Sequence, residues 1–138
     1  MTIIDCDFLV IGTGLAGLMS ALRLSRFGRV VLTTKKNPDE SNSSYAQGGI
    51  ASVTDPDDTV EAHVRDTLVA GAGLCREDAV RSILTAGPAR VRELEELGVK
   101  FERRNGRDDE YDLGQEGGHS RRRVLHAGDF TGREVVRI

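Results

Sequence analysis

An α/β fold with strand, helix and strand in succession is what this chain predicts, and two stretches predict it. The first runs Phe8-Leu9-Val10-Ile11, then Gly12-Thr13-Gly14-Leu15-Ala16-Gly17, then Leu18-Met19-Ser20-Ala21-Leu22. It reads as an apolar strand, three glycines at fixed spacing and a helix, which is the dinucleotide-binding fingerprint in its required context. Gly12 allows the tight turn, Gly14 lets the backbone approach a pyrophosphate, and Gly17 lets the helix lie against the strand. The helix N-terminus offers N–H groups and partial positive charge to phosphates. The second stretch is Val30-Val31-Leu32-Thr33-Thr34, a second strand.

The end of that second strand narrows the choice of dinucleotide. An NAD site places an acid about 20 residues past the glycines to hold the ribose. Here the strand ends in Lys35-Lys36, and the first acids, Asp39 and Glu40, fall in the following loop. That pattern leaves NADP, with a lysine on a ribose phosphate, or FAD gripped in a different way.

The remaining elements follow in order. The first helix is expected over 15–27, with Ala21, Leu22 and Leu24 on its buried side and Gly28 as its stop. Residues 37–49 are polar and glycine-bearing, a loop rich in hydroxyls, amides and bare N–H groups. Residues 50–53 read as a short strand. Asp58 and Glu61 have capping-box spacing, followed by a helix with Val60, Val64 and Leu68 on one face that ends near Gly71. A further helical pattern begins after Cys75 and is interrupted at Gly87-Pro88, since proline suits a first turn better than an interior. It resumes through Val91, Leu94 and Leu97 to a C-cap at Gly98. Val99 and Phe101 alternate as in a strand. Asn105-Gly106 signals a turn, with 107–110 as a longer mobile loop and Tyr111 and Leu113 on a return strand. Residues 124–127 form another strand. Thr131 and Glu134 are a second capping box, opening a helix whose apolar residues Val135, Val136 and Ile138 lack partners. A helix cut off there is expected to belong to a longer protein.

Bulk properties limit the function. The chain has 138 residues, enough for one modest domain, with 38% hydrophobic residues and 16 glycines. A net charge of −3 and a pI near 5.6 give a nucleic-acid role no support. The Arg121-Arg122-Arg123 cluster reads as a solvated turn. Asp5 and Asp7 stand where a secretory leader carries basic residues, and the apolar run at 8–11 is too short to span a membrane. Cys6 and Cys75 have no metal-type spacing, so free thiols in a reducing cytoplasm are expected, with Cys6 in the core.

Four segments together resemble the succinate dehydrogenase/fumarate reductase flavoprotein family: Gly12 to Gly17, the Thr34-Lys35 strand end, Tyr45-Ala46-Gln47-Gly48-Gly49-Ile50-Ala51, and His126-Ala127-Gly128-Asp129-Phe130-Thr131-Gly132. Glu116-Gly117-Gly118-His119-Ser120 narrows the likeness to members that oxidise L-aspartate, and 66–75 is similar to them as well. The resemblance covers the whole chain but only the N-terminal part of the family's protein. It implies a Rossmann-like FAD-binding domain, incomplete at residue 138, with the capping and C-terminal helical domains absent. Lys35 then replaces the ribose-binding acid, Thr13 to Ala16 contact the pyrophosphate, and Asn42, Ser43, Ser44, Tyr45, Ala46, Gln47, Gly48 and Gly49 run along the flavin.

Covalent members bond the flavin through a histidine in this loop. The matching position here is Asn42, so the resemblance implies non-covalent FAD. Relatives acting on dicarboxylates without an amino group carry phenylalanine where Glu116 stands. A carboxylate there suits the ammonium group of aspartate; read from the residues alone, Glu116 is a surface acid in a glycine-rich turn. His119 reads equally as a site residue or a solvated turn residue, and His63 as a helix residue without a role. The implied reaction oxidises the Cα–N bond of L-aspartate to iminoaspartate, with hydride passing to the flavin and with oxygen or fumarate as final acceptor. Its product feeds quinolinate synthase in NAD biosynthesis. No arginine here matches the family's catalytic motif, so no catalytic residue is expected within the chain. The alternatives are a fumarate reductase or succinate dehydrogenase flavoprotein, which Glu116 and Asn42 oppose, an NADP-dependent reductase using Lys35 and Lys36, and a truncated chain that merely binds nucleotide.

Overall fold

The computed structural model describes residues 3–105 and 107–138. It divides into two compact units, Met1–Ala46 with Gly132–Ile138, and Gln47–Thr131.

The first unit opens with β1 (Phe8–Ile11), α1 (Leu15–Leu24) and β2 (Val30–Thr33). The strand, helix and strand appear in the expected order, and the strands pair in parallel, Phe8 opposite Val30 through Ile11 opposite Thr33. Phe8 and Val10 are partly covered, while Leu9 and Ile11 stay exposed. Period-2 alternation puts these two pairs on opposite faces of the ribbon. Helix α1 is shorter than expected. Ser25 caps it, with its N–H bonded to the Ala21 carbonyl, and Phe27 lies beyond the end and is exposed. Leu22 is exposed rather than buried. Cys6 is also exposed, because it precedes the strand and does not share its pairing.

The second unit contains β3 (Ile50–Ala51), α2 (Val60–Ala70), α3 (Glu77–Glu96), β4 (Arg103–Arg104), β5 (Arg107–Tyr111) and β6 (Val124–Leu125). Its core gathers Val64, Val91, Leu94, Val99, Phe101, Leu113, Val124 and Leu125. Strands β3 and β6 pair antiparallel, Ile50 with Leu125 and Ala51 with Val124. Both are shorter than the expected 50–53 and 124–127.

Several expectations change here. Helix α3 runs unbroken through Pro88, so Gly87-Pro88 does not divide it. Pro88 costs the helix one N–H donor, and its burial outweighs that: Val91 and Leu94 in the following turns enter the core. Gly87 lies against Ser52, whose Oγ would be 3.1 Å from a Cβ there. Residues 107–110 are strand rather than loop, since β4 and β5 pair antiparallel with a register shift at Arg103/Arg104. The Arg103 guanidinium lies 4.0 Å over the Tyr111 ring, and Tyr111 donates to Glu95 at 2.6 Å. Val99 and Phe101 are core residues without strand pairing. The expected Asn105-Gly106 turn includes Gly106, which lies outside the described residues.

The helix from Thr131 forms as α4 (Thr131–Arg137). Val135 is buried, contrary to the expectation that this face lacks partners, and Ile138 remains exposed. The Thr131 hydroxyl accepts from the Ala127 N–H at 3.0 Å.

Helix α3 ends as the sequence predicts. Gly98 has φ +110, its N–H reaches the Glu95 carbonyl at 2.9 Å, and that of Val99 reaches Leu94 at 3.0 Å. This double closure is a Schellman motif. Gly98→Ala should cost about 1–2 kcal/mol of stability, the penalty of a side chain at positive φ. An unchanged urea midpoint would contradict this account of the helix end.

Candidate functional site

In the first unit the glycine turn does what its spacing requires. Gly12 takes φ +110, and its N–H continues the β1–β2 ladder to the Thr33 carbonyl at 2.8 Å. A Cβ at Gly17 would overlap the Gly12 carbonyl, so the bare glycine is what lets α1 rest on the turn. Gly14 is the extended N-cap of α1 and supplies no side-chain cap of its own. Ser43 supplies one instead: its Oγ accepts the Leu15 N–H at 3.0 Å and would lie 3.4 Å from a Cβ on Gly14.

The buried Thr13 donates to the Thr34 hydroxyl at 3.2 Å. Ala16, Lys35 and Asn42 are exposed. Ser44 is buried, its N–H capped by Ser41 Oγ at 3.1 Å, while Tyr45 is mostly exposed. Gly132 fits beneath this turn. Its N–H reaches the Ala46 carbonyl at 2.9 Å, and a Cβ on it would overlap the Ser43 carbonyl. Thus Gly12 to Gly17 and Asn42 to Ala46 are joined through Ser43. A bare, polar, N–H-rich surface of this kind fits a dinucleotide pyrophosphate.

The second unit holds an open cavity of about 610 Å³, lined in part by Gln47, Gly48, Glu116, His126, Asp129 and Phe130. Glu116 opens a four-residue turn. Its carbonyl accepts the His119 N–H at 3.1 Å, and Gly118 in the third position has φ +89, the geometry that needs glycine in a type II turn. Beside it, a Cβ on Gly48 would be 3.9 Å from Glu116 Oε1. Among the described residues no cation pairs with the Glu116 carboxylate. Gly49, at φ +104, lies against the Leu125 carbonyl, where a Cβ would not fit. His126 was given no role by sequence reasoning. It reaches Glu102 Oε2 with its Nδ1 at 3.3 Å, and with Asp129 and Phe130 it lines the cavity. The motif 126–132 was the available signal, but motif identity does not say which of its side chains face a cavity.

Arg121 and Arg122 are exposed, as the reading of their cluster as a solvated turn expects, but Arg123 departs from it. It is fully buried. Its Nε and Nη2 grip Asp58 at 2.7 and 2.9 Å, and its Nη1 reaches Asp66 Oδ2 at 2.5 Å. Asp58 is therefore not the helix cap. Thr59 is, accepting the Ala62 N–H at 3.1 Å. Arg123 could not be told from Arg121 and Arg122 by sequence, because only a fixed backbone decides which of three adjacent arginines turns inward.

Burial pushes the Asp66 carboxyl up, but the Ser120 N–H, the Arg123 guanidinium and the Ser120 hydroxyl outweigh it and bring it down to about 2. Asp58 is held below its ordinary value in the same way, its desolvation outweighed by Arg123 and the Thr59 N–H. His63 is buried, and desolvation together with the Arg123 charge lowers its pKa.

Residues 7–138 match the family model described as an FAD binding domain. The chain belongs to this FAD-binding family. It is 51% identical over 131 residues to the chloroplastic L-aspartate oxidase of Oryza sativa subsp. japonica, covering 95% of this chain and 20% of that protein. The L-aspartate oxidase of Vibrio cholerae is 48% identical over 93% of the chain and 24% of its own length. The chain thus spans a fifth to a quarter of these curated relatives. Among solved structures, the E. coli quinol fumarate reductase superposes with a TM-score of 0.89 at 29% identity, over 99% of this chain and 24% of that one. FAD is accordingly the dinucleotide of this family, and the NADP alternative falls.

Two outcomes follow from the geometry. Gly14→Val fills the gap in front of Ser43, so the folded variant should retain little FAD; an unchanged flavin content would contradict the fit of a pyrophosphate to this turn. Asp66 is ionised in the fold down to about pH 2, against 3.8 ordinarily. Its stabilisation is complete above 3.8 and is lost as pH falls through about 2. Asp66→Asn should flatten the acid limb of the stability profile in that window, and an unaltered slope would contradict the pairing.

Proposed function

We propose that this chain is the N-terminal part of the FAD-binding domain of an L-aspartate oxidase, which converts L-aspartate to iminoaspartate. The observation that carries the reading is the Glu116 carboxylate, without a cationic partner among the described residues, on a glycine turn at the edge of an open cavity. Aspartate differs from succinate by one ammonium group, and a carboxylate at this place favours that cation by charge and by a charge-assisted hydrogen bond. The identity to aspartate oxidases of rice and Vibrio supports the same substrate.

The β1–α1–β2 unit is the opening of a Rossmann-like domain in this reading. The stretch from Thr13 to Ala16 contacts the pyrophosphate, with the Leu15 N–H already held by Ser43, Lys35 meets the adenosine end, and the segments Asn42 to Ala46 and Gln47 to Gly49 serve the flavin side. Bound FAD supplies the acceptor for the two electrons that leave the substrate. Glu116 holds the substrate ammonium, and so orients Cα. Oxygen or fumarate takes the electrons in turn, and the imine passes to a quinolinate-forming step. No helix is long and apolar enough to cross a membrane among the described residues. The unpaired Cys6 and Cys75 agree with a reducing cytoplasm. A dicarboxylate reductase is the second reading, favoured by the fold likeness to quinol fumarate reductase, and Glu116 weighs against it.

In the full-length protein, Glu116→Gln keeps the size and removes the charge. It should lower kcat/KM for aspartate by about 1–3 kcal/mol, the worth of one charge-assisted contact, and leave fumarate reduction nearly intact. Equal losses with both substrates would make Glu116 structural. Because Asn42 cannot bond the flavin covalently, acid precipitation should leave the yellow colour in the supernatant; flavin retained in the pellet would contradict it.

A further inference from the structure

We propose that Asp66 is a positioning residue for Glu116, fixing the turn that presents this carboxylate to the cavity. The proposal rests on the functional reading above. The segment 115–123 leaves and rejoins the fold at one place, where Gly114 and Val124 bridge: the Gly114 N–H reaches the Val124 carbonyl at 2.9 Å, and those of Arg123 and Val124 reach the Gly114 carbonyl at 3.1 Å. Between those points, among the described residues, the backbone is bonded to one side chain outside the segment. Asp66 Oδ2, projecting from α2, accepts both the Ser120 N–H and the Ser120 hydroxyl at 2.8 Å. The same oxygen accepts from Arg123 Nη1.

Three donors on one oxygen, two from Ser120 and one from a buried guanidinium locked by Asp58, leave Asp66 no freedom to follow a moving loop. A second contact lies beside it, the His119 ring standing edge-on to His63 of α2 at 5.6 Å. Within the segment, Gln115 Nε2 donates to the His119 carbonyl at 2.7 Å, closing the turn that begins at Glu116. The anchor therefore acts three to four residues from Glu116 through a closed ring of hydrogen bonds. The cost of loosening it falls on whatever needs Glu116 in one place, and only the ammonium-bearing substrate does.

The test is a double-variant cycle in the full-length, FAD-loaded protein. Asp66→Asn offers the three donors a weaker, neutral acceptor. Ser120→Ala is the milder change, removing one tether and sparing the Asp66–Arg123 pair. Asp66→Asn should reduce kcat/KM for L-aspartate on the order of tenfold, as small misplacements of an orienting group do, with fumarate reduction little changed. In a Glu116→Gln background it should add nothing further. Losses that multiply in the double variant overturn the proposal and leave the role of Glu116 standing. A Glu116→Gln protein unaltered toward aspartate overturns the functional reading, and this proposal with it. A readout without turnover covers the case in which the Asp66 variant is too unstable to assay. In the cofactor-free protein, Ser120→Ala should speed hydrogen exchange at the amides of 117–120 and leave α2 unaffected; unchanged exchange in the turn overturns the proposal.

Discussion

Arg123 carries a full charge with none of its side chain in water, and the second unit is arranged around that fact. A buried guanidinium is tolerated only where its donors are matched, and removing one partner of such a pair typically costs about 3–5 kcal/mol. Asp58 and Asp66 match it from the start and the middle of the α2 region, 65 and 57 residues away in sequence. The residue itself continues the β3–β6 pairing, its carbonyl accepting the Ser52 N–H at 2.8 Å. One side chain thereby ties the sheet, the helix and the turn bearing Glu116. A well-packed apolar group of the same size would avoid the desolvation cost, so breaking the pair costs far more than the pair itself contributes.

The first unit depends on a different constraint, the absence of side chains. Gly17 and Gly132 each occupy a place where a Cβ would collide with a carbonyl oxygen, and Gly12 needs its positive φ. These glycines let three backbone segments close on one another: the turn after β1, the loop at 41–46 and the start of α4. Ser43 then caps α1 from across the loop, so a hydroxyl substitutes for one of the helix's unsatisfied donors. The N–H of Leu15 is committed to this cap.

Legibility in the sequence followed the range of the interactions. The fingerprint from Phe8 to Gly17 and the second strand were readable because each rule there is local: strand, turn and helix follow one another within a few residues. Gly98 and Thr131 were readable for the same reason. Pro88 misled, because a local rule about proline lost to the burial of Val91 and Leu94. Asp58 misled as a cap, because its partner is distant in sequence and Thr59 stands next to it. The run 107–110 looked mobile on its charges, yet cross-strand pairing and the Arg103–Tyr111–Glu95 contacts order it. Glu116 was singled out through the motif around it. Its anchor at Asp66 and the inward turn of Arg123 were invisible, since nothing in a one-dimensional pattern links helix α2 to a turn more than fifty residues later.

The account stands on Glu116 receiving the substrate's ammonium. A crystal structure of the full-length protein with FAD and 2-methylaspartate, which lacks the Cα hydrogen and so stays unoxidised, tests this directly. The predicted result is the ligand nitrogen within hydrogen-bond reach of the Glu116 carboxylate, about 3 Å, with the Asp66–Ser120 bonds intact. A ligand nitrogen turned away from Glu116, or paired with another group, would contradict it.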